Sequence, residues 1–412
     1  MTNDKIRGSL IGGAAGDALG YPVEFMDEVE IFSKYGENGI TEYELTHGKA
    51  EISDDTQMTL FTANALLFRE TRGVLRGIAG KPRSYIARAY QDWLCTQEGK
   101  KPEDGISWLQ DVPELYSRRA PGMTCQDGLE IRSKERGTDD YIARPINHSK
   151  GCGGIMRIAP VALSLGQNAK TVSELKEVDL EAAQAAAITH SHSLGYMPAA
   201  VAAHVISRCL TSADTMTLKE MVLEARDTAK ELFAGDEHLA ELTEIIDKAV
   251  RLSENELPDL DNIHALGKGW VAEETLAIAL YCALRYPHDL SKAIIAAVNH
   301  DGDSDSTGAV TGNILGALLG YEAMLKALKS SFPSSRIIRI PASSALLTCT
   351  RKRTGTRSLT ASGRSQTRKW SRLPRPFLPL LPAPASLSAP AQKKLISKSI
   401  TLSRTAVLTG TE

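Results

Sequence analysis

The sequence predicts an all-α protein with a distinct C-terminal tail, and three observations carry this prediction. Apolar residues before position 330 recur at helical spacing, as Met58 and Phe61 do. Alternating runs of Val, Ile and Thr, which are typical of strands, are almost absent there. From Ser331 the helical pattern stops, and Arg, Ser, Pro and Thr dominate. We therefore predict a helical domain over 1–330 and a basic tail over 331–412.

Composition limits the partners of the helical domain. The chain of 412 residues is 42% hydrophobic and 24% charged, which is an ordinary mixture for a globular protein. Its net charge of −2 conceals a division, because the tail holds 15 basic residues and one acid while 1–330 holds 33 basic and 49 acidic residues. An acidic domain is a poor surface for nucleic acid, so we expect no such partner for it.

Several features predict a cytoplasmic protein that does not use a membrane. No apolar run reaches the ~20 residues that span a bilayer, and the polar start Met1–Arg7 does not resemble a secretory signal. The six cysteines lie at least 27 positions apart, which excludes a CxxC zinc site and a dense disulfide scaffold. Reduced thiols are the simplest expectation.

Glycine marks the first and the last predicted helix. It recurs at every fourth position of both, a spacing that places it on one helix face. Each internal glycine costs about 1 kcal/mol relative to Ala, so a close backbone contact must offset that cost. We predict that the two helices pack tightly at the centre, with matching stripes that suit packing against each other. The glycines are Gly8, Gly12, Gly16 and Gly20 in the first helix, and Gly308, Gly312, Gly316 and Gly320 in the last.

The remaining pattern divides the domain into further helices and three loops. Helical spacing is clear around Leu180–Thr189 and Glu274–Ala283, and Glu237–Leu252 has the pattern of a solvated amphipathic helix. The predicted loops lie near 28–53, 118–153 and 253–269.

The first acidic motif is Ser53-Asp54-Asp55-Thr56, which ends a loop and opens a helix. Helix capping explains one such residue, and acids at this end complement the helix dipole. Four consecutive oxygen-bearing side chains exceed that requirement, and adjacent carboxylates repel unless a cation joins them. The motif therefore predicts ligands for a metal ion.

The second acidic motif, Asp301–Thr307, directly precedes the glycine-marked last helix. Its alternating acids resemble a calcium loop, but Ser306 and Gly312 stand where an EF-hand needs Gly and Glu. Oxygen ligands suit Mg²⁺, Mn²⁺ or Ca²⁺ and disfavour zinc. If the two motifs meet, they supply enough oxygens for two metal ions about 3.5–4 Å apart, a geometry that activates water.

Three smaller features complete the candidate site. Glu24 follows the turn made by Gly20 and Pro22, where it is either a surface acid or a general acid/base. The Gly-rich segment Ser149–Arg157 can present N–H groups to phosphate. In Thr189–His192, a histidine that contacts substrate or caps a helix is a better interpretation than a metal ligand.

In combination, these motifs resemble the ADP-ribosylglycohydrolase family, which includes the dinitrogenase-reductase-activating glycohydrolase. The resemblance covers residues 3–325. It implies a compact orthogonal bundle of helices with two Mg²⁺ or Mn²⁺ ions in a central cleft, and hydrolysis of ADP-ribose from modified protein side chains or small conjugates. The motifs are Gly16–Gly20 with Glu24, Ser53–Met58, Gly151–Arg157, Thr189-His190 and Gly302–Gly308.

The resemblance also implies roles for individual residues. Glu24 matches an acid that in some members acts near the metals, and in the implied mechanism Glu24 or Asp305 handles the proton. Ser53 stands where many members have Thr, and Cys152 stands where some have Asn, which leaves the leaving group undecided. The implied metal ligands are Ser53, Asp54, Asp55, Asp303, Asp305 and Ser306. The implied substrate contacts are Gly151, Cys152, Gly153, Gly154, Met156 and His190.

Two other functions stay open at this point. A catalytically silent ADP-ribose-binding protein would have the same fold, although the presence of both acidic motifs favours the hydrolase. A metal-dependent enzyme for a nucleotide or a phosphate ester is the third hypothesis.

The tail has the composition of a disordered segment, and we predict that it contributes nothing to the site. Two functional hypotheses compete: a nucleic-acid or membrane-tethering arm in 351–375, and a polyproline II ligand around Pro374–Pro384. A third hypothesis is an out-of-frame 3′ end, because acids vanish where the last helix should finish. We favour a tail without function.

Overall fold

The computed structural model describes residues 2–135 and 139–331 and contains fifteen α-helices within them. No β-strand occurs in these two ranges, which confirms the all-α prediction. The hypotheses about positions 332–412 lie outside the described residues. The helices are α1 (Thr2–Gly20), α2 (Glu28–Tyr35), α3 (Asp54–Arg76), α4 (Pro82–Gln97), α5 (Met123–Lys134), α6 (Ala159–Leu165), α7 (Val172–Ala186), α8 (Ser193–Ser212), α9 (Leu218–Leu232), α10 (Leu239–Leu252), α11 (Asp259–Leu266), α12 (Ala272–Arg285), α13 (Leu290–Val298), α14 (Ser304–Leu319) and α15 (Tyr321–Ser331).

The first and last glycine-marked helices, α1 and α14, pack antiparallel through their glycine stripes. A Cβ atom added at Gly12 would collide with the carbonyl oxygen of Gly312, and one at Gly308 would lie 2.7 Å from the carbonyl oxygen of Gly16. Backbone atoms of the two helices therefore occupy the space that side chains normally fill. This confirms the predicted tight packing and shows that each helix is the partner of the other.

The stripe ends differently in the two helices. Gly20 is the last residue of α1, and an added Cβ would collide there with the backbone of Ser304 at the start of α14. Gly320 lies outside α14 and caps it with a φ of 85°, a conformation that glycine adopts without strain. The predicted final helix is thus two helices, α14 and α15, separated at Gly320.

Helices α8 and α12 form part of the core around this pair. α8 packs against both α12 and α14, and it is buried along most of its length. A helix that is apolar on nearly all faces belongs in the interior. By contrast, α10 buries a stripe that includes Leu242 and Ile246, which confirms the predicted amphipathic helix. None of the helices in the described ranges is long and apolar enough to cross a membrane.

The three predicted loops were wrong in part, because each contains a short helix. α2 lies inside 28–53, α5 inside 118–153 and α11 inside 253–269. These helices have only 8 to 12 residues and bury few side chains, so their apolar periodicity is weak. Terminal interactions stabilise α2 instead, since Asp27 and Glu30 cap each other's backbone N–H groups.

Candidate active site

The ends of three helices meet at one end of the α1–α14 pair, and Asp17 of α1 makes the first connection. This carboxylate is fully buried and accepts hydrogen bonds from the backbone N–H of Ser53 at 2.9 Å and of Thr56 at 3.1 Å. The hydroxyl of Thr56 also donates to it. Asp17 therefore holds the start of α3 against α1. Burial raises the pKa of Asp17 to about 6, although the hydrogen bonds from Thr56 and Ser53 oppose the shift.

The second connection brings the start of α14 to the same place. Gly20 lies against the backbone of Ser304, with no room for a side chain between them. Ser53 and Asp303 cap α3 and α14, because their side chains accept from the N–H groups of Asp55 and Ser306. The end of α1 is consequently in contact with both acidic helix starts. The predicted convergence of the two motifs is present in the structure.

The carboxylates at this point are buried, and their charges act on one another. Asp54, Asp55, Asp303 and Asp305 are each at most 5% exposed. Burial, followed by the charges of Asp17 and Asp303, raises the pKa of Asp54 to about 7 against an opposing hydrogen bond from Gly122. Burial and the neighbouring acids also raise the pKa values of Asp55 and Asp305 well above the usual range. This mutual effect requires that the charges lie close together.

Glu24 joins this cluster from the turn after α1. The 3-10 helix Tyr21–Val23 separates it from α1, and its side chain is 8% exposed. The alternative of a surface acid is therefore wrong. Burial, followed by the charges of Asp303 and Asp54, raises the pKa of Glu24 to about 9. We call Glu24, Asp54, Asp55, Asp303 and Asp305 the acidic cluster.

The acidic cluster suits a hard divalent cation in donor type and in burial. Asp55 Oδ2 and Glu24 Oε2 are buried and have no hydrogen-bond partner. Such acceptors are costly inside a protein unless a partner satisfies them. Carboxylate and hydroxyl oxygens are also the ligands that Mg²⁺ and Ca²⁺ prefer. These observations fit the predicted ligand set.

The donor atoms are not, however, gathered at one point. No group of three or more His, Cys, Asp or Glu side chains among residues 2–135 and 139–331 is arranged closely enough to hold a metal ion. Ionised carboxylates repel each other, so these side chains would have to rotate toward a bound cation. The residues of the acidic cluster therefore fit a metal ion in donor type and in burial, but their side chains do not form a complete coordination geometry.

The Gly-rich segment lies beside the acidic cluster and is fastened to the start of α12. Cys152 N–H donates to the carbonyl of Trp270 at 3.2 Å, and the carbonyl of Lys150 accepts from Ala272 at 2.8 Å. Gly151 N–H donates to the hydroxyl of Ser149 at 3.3 Å. Two of the N–H groups expected to bind phosphate are therefore committed within the protein.

Cys152 connects this segment directly to the acidic cluster. Its Sγ atom donates to Asp303 Oδ2 at 2.6 Å. Burial, followed by the negative charges of Asp303 and Asp55, raises the pKa of the thiol well above its usual range. Met156 also reaches the second motif, with its Sδ atom 4.0 Å from Ser306 Oγ. The predicted substrate-binding segment and the predicted metal ligands thus lie together.

His190 lies beneath the same segment as a neutral ring. It is 2% exposed, and a Cβ atom at Gly153 would lie 2.7 Å from its Cε1 atom. Burial, followed by the nearby Arg157 cation, lowers the pKa of His190 to about 3. The helix-capping role belongs instead to His192, whose Nδ1 accepts from Leu194 N–H at 3.1 Å.

Arg157 and Asp17 lie inside the predicted motifs, but sequence reasoning gave neither of them a role in the site. The guanidinium of Arg157 is fully buried, donates to Thr189 Oγ1 at 2.6 Å and lies over the ring of Tyr90. It is a positive charge that lowers the pKa of Asp54. Asp17 is an ionisable residue inside the glycine stripe of α1. An acid in a helix predicted to be buried could have indicated that Asp17 belongs to the site.

An exposed aromatic pair borders the site. The rings of Phe25 and Trp270 stack with centroids 5.9 Å apart. Phe25 is 73% exposed and follows Glu24, while Trp270 is 41% exposed and accepts the hydrogen bond from Cys152. The pair therefore connects the two segments that carry Glu24 and Cys152.

Comparison with known proteins assigns this chain to a class of all-helical hydrolases that act on glycosidic bonds. The family model described as ADP-ribosylglycohydrolase matches residues 1–348, and the chain belongs to this family. A solved chain titled "ADP-ribosylglycohydrolase-related protein complex" has a TM-score of 0.53 and 24% identity, covering 80% of this chain and 93% of that one, which supports the fold alone.

Curated relatives cover most of the chain at low identity. The mouse ADP-ribosylhydrolase ARH3 is 26% identical, with 79% of this chain and 87% of the relative covered. The ADP-ribosyl-[dinitrogen reductase] glycohydrolase of Rhodospirillum rubrum is 23% identical over 78% of this chain and 87% of its own length. An uncharacterised Escherichia coli protein, YegU, is 26% identical over 80% and 92%. The resemblance inferred from the motifs is therefore confirmed.

Proposed function

We propose that this protein is a Mg²⁺- or Mn²⁺-dependent hydrolase that releases ADP-ribose from ADP-ribosylated protein side chains or from related conjugates. One observation carries the proposal: two acidic helix starts, far apart in sequence, meet at a buried point where their carboxylates raise one another's pKa. Buried like charges destabilise a fold, so a cluster of them points to a ligand-binding role. The named activities of two relatives support the substrate class.

The metal ligands that we propose come from both helix starts. When bound, two divalent ions would polarise the substrate oxygens and activate a water molecule. The proposed ligands are Ser53, Asp54, Asp55, Asp303, Asp305 and Ser306.

Glu24 is the candidate for proton transfer, with Asp305 as the second candidate. Because its pKa is about 9, the carboxyl group of Glu24 holds a proton at neutral pH as long as no cation neutralises the neighbouring carboxylates. Neutralisation of Asp303 and Asp54 removes the repulsion that adds to the effect of burial. Glu24 could then exchange a proton with water or with the leaving group near neutral pH, as a general acid/base requires.

The segment Gly151–Gly154, with Met156 and His190, forms the proposed contact with ADP-ribose. Because Gly151 and Cys152 N–H groups are committed to Ser149 and Trp270, the remaining groups of the segment would contact the pyrophosphate. His190 is neutral and packed against the segment, so it would fix the shape of this wall and add no charge. The free cysteines among the described residues agree with a cytoplasmic location, which we also propose.

The test measures free ADP-ribose released from ADP-ribosylated arginine and serine peptides, with Mg²⁺ and with a chelator. We expect metal-dependent release from at least one peptide. If the protein binds ADP-ribose but releases none from either peptide, the result would support the hypothesis of a catalytically silent ADP-ribose-binding protein. Release of phosphate from a nucleotide or phosphate ester, with both peptides intact, would support the third hypothesis.

A further inference from the structure

The thiol sulfur of Cys152 lies beside the oxygen donors of the acidic cluster. Cys152 Sγ is 2.6 Å from Asp303 Oδ2, a carboxylate oxygen of the second motif. The hydrogen bond places the thiol within reach of any cation that Asp303 binds. The metal ligands predicted from the motifs are all oxygens, so this thiol adds a donor of a different kind.

Two further buried oxygen donors of the acidic cluster lack a hydrogen-bond partner. Asp55 is 3% exposed and Glu24 is 8% exposed, and each has one buried oxygen without a hydrogen-bond partner. The negative charge of Asp55 raises the pKa of the Cys152 thiol, so Asp55 lies near this thiol. The cysteine therefore does not stand alone as a candidate ligand.

Donor softness decides which cations this combination favours. Oxygen ligands select hard ions such as Mg²⁺, whereas thiolate binds Zn²⁺ and the similar but softer Cd²⁺. A thiol that donates to Asp303 can exchange its proton for such a cation, and the cation would then lie between sulfur and carboxylate. Mg²⁺ gains nothing from the sulfur and would keep to the oxygens.

We propose that Cys152 and Asp303 form a soft-metal site within the acidic cluster, where Zn²⁺ or Cd²⁺ binds through Sγ and competes with the hard ions of the proposed hydrolase. This inference rests on the proposed metal ligands, but it concerns binding and does not depend on ADP-ribose hydrolysis. An asparagine or serine at position 152 would remove the site and leave the oxygen donors in place.

The test is a Cd²⁺ titration of the full chain, followed by the ultraviolet charge-transfer band between sulfur and Cd²⁺. Cys95 and Cys349 are replaced by Ser in the starting protein, because Cys95 is partly exposed and Cys349 lies outside the described residues. We expect one Cd²⁺ per chain with a sulfur band. In Cys152→Ser we expect the band to disappear and the Cd²⁺ affinity to fall about tenfold or more, the scale on which ligand-shell changes act.

Two controls separate the possible failures. Cys125→Ser removes a buried thiol that contacts Arg157, and it should retain the sulfur band. The rise of the melting temperature in Mg²⁺ should persist in Cys152→Ser, which shows that this variant is folded. Cys152→Asn provides a second variant if Cys152→Ser does not fold.

The outcomes distinguish this inference from the proposed function. A sulfur band of unchanged size in Cys152→Ser, or no band in the starting protein, would overturn the soft-metal site while leaving hydrolysis untouched. If the sulfur band depends on Cys152 but the protein releases no ADP-ribose, the soft-metal site is supported. Only the proposed function is then contradicted.

Discussion

The glycine interface and the acidic cluster are built on the same two helices, yet their physical chemistry is opposite. Along the interface of α1 and α14, backbones touch through Gly12 and Gly312, and neutral groups fill the space. At its end, buried carboxylates face one another, and Asp55 Oδ2 has no partner. The first region stabilises the fold by close packing. The second destabilises it, which is the usual cost of a functional site.

The close packing explains how the costly region persists. Gly20 brings the ends of α1 and α14 together, and Asp17 attaches the start of α3 through hydrogen bonds to Ser53 and Thr56. The packing at Gly20 and the hydrogen bonds of Asp17 thus hold the acids together, although Asp303 and Asp54 also accept hydrogen bonds from Ser306 and Gly122. Substitutions should therefore separate the two regions: one set changes stability and the other changes activity.

The largest expected effect is on turnover, from Asp55→Asn and Asp305→Asn. Each change keeps the side-chain volume and removes one proposed metal ligand. We expect release of ADP-ribose to fall about 10³-fold or more, which corresponds to roughly 4 kcal/mol. In a chelator the melting temperature should stay the same or rise, because a buried repulsive charge is gone. Peptide turnover and thermal unfolding, measured on the same samples, check both parts.

Asp301→Asn is the matched control for these two variants. Asp301 belongs to the same segment, but it is half-exposed and pairs with Lys268 at 2.9 Å. We expect its turnover to stay near that of the unchanged protein. Equal losses in all three variants would mean that the segment responds to any change, and the assigned roles of Asp55 and Asp305 would then lack support.

The next effect is on stability, from Gly12→Ala in the interface. The added methyl would collide with the carbonyl of Gly312, so the helices must separate along their length. Overpacking of this kind costs about 1–3 kcal/mol, and occasionally more. Gly73→Ala is the control, because Gly73 is also helical and its added Cβ would meet only the methyl of Ala79, at 3.3 Å. Urea unfolding should show a loss for Gly12→Ala and no comparable loss for the control.

A region of the structure could be predicted from the sequence when the pattern that indicates it lies within one short segment. The glycine stripes are periodic over about three turns, so the pairing of α1 with α14 could be predicted, and the structure confirms it. The acidic motifs stand at helix starts, where local capping rules apply. α2 was missed although Asp27 and Glu30 form a recognisable capping box. That error reflects a neglected local signal.

The missed parts of the site depend on contacts between distant positions. Asp17 bonds to Ser53 and Thr56, which follow it by 36 and 39 positions, and nothing local to Asp17 shows those partners. The contact between Cys152 and Asp303 joins positions 151 apart. Predicting such pairs from the sequence requires the fold, because burial and direction are set by the packed helices.

The third expected effect is a pH dependence that belongs to the acidic cluster and to Asp17. The folded pKa values of Asp17, Asp54 and Glu24 are about 6, 7 and 9, above the usual carboxylate range. These carboxyl groups hold more protons in the folded state than in the unfolded state. Above about pH 7 the buried His190 is neutral in both states and no longer opposes them, so stability falls as pH rises. In a chelator we expect the melting temperature to drop from pH 7 to pH 9.

Metal and substitution should both reduce this slope. Saturating Mg²⁺ replaces protons as the neutralising charge, so the fall between pH 7 and pH 9 should be smaller. Asp55→Asn removes one repelling acid and should flatten the curve without metal. Gly12→Ala should lower the whole curve and keep its slope. A slope that neither Mg²⁺ nor Asp55→Asn changes would assign the pH dependence to groups outside the cluster.

The smallest expected effect concerns the rim, where Phe25 and Trp270 stack beside the site. Both rings are exposed, so their removal should cost little stability, unlike a change at Gly12. A planar group of the substrate can contact an aromatic face, and such contacts contribute about 0.5–1.5 kcal/mol. Loss of a contact of this free energy corresponds to an increase of KM, and we expect Trp270→Ala to raise KM for the ADP-ribosylated peptide about two- to tenfold. We expect kcat to stay nearly unchanged. Val74→Ala, on an exposed apolar position of α3, is the control and should leave KM as it was. A fall in kcat with KM constant would instead indicate that the ring pair positions Glu24, which directly precedes Phe25 in the chain.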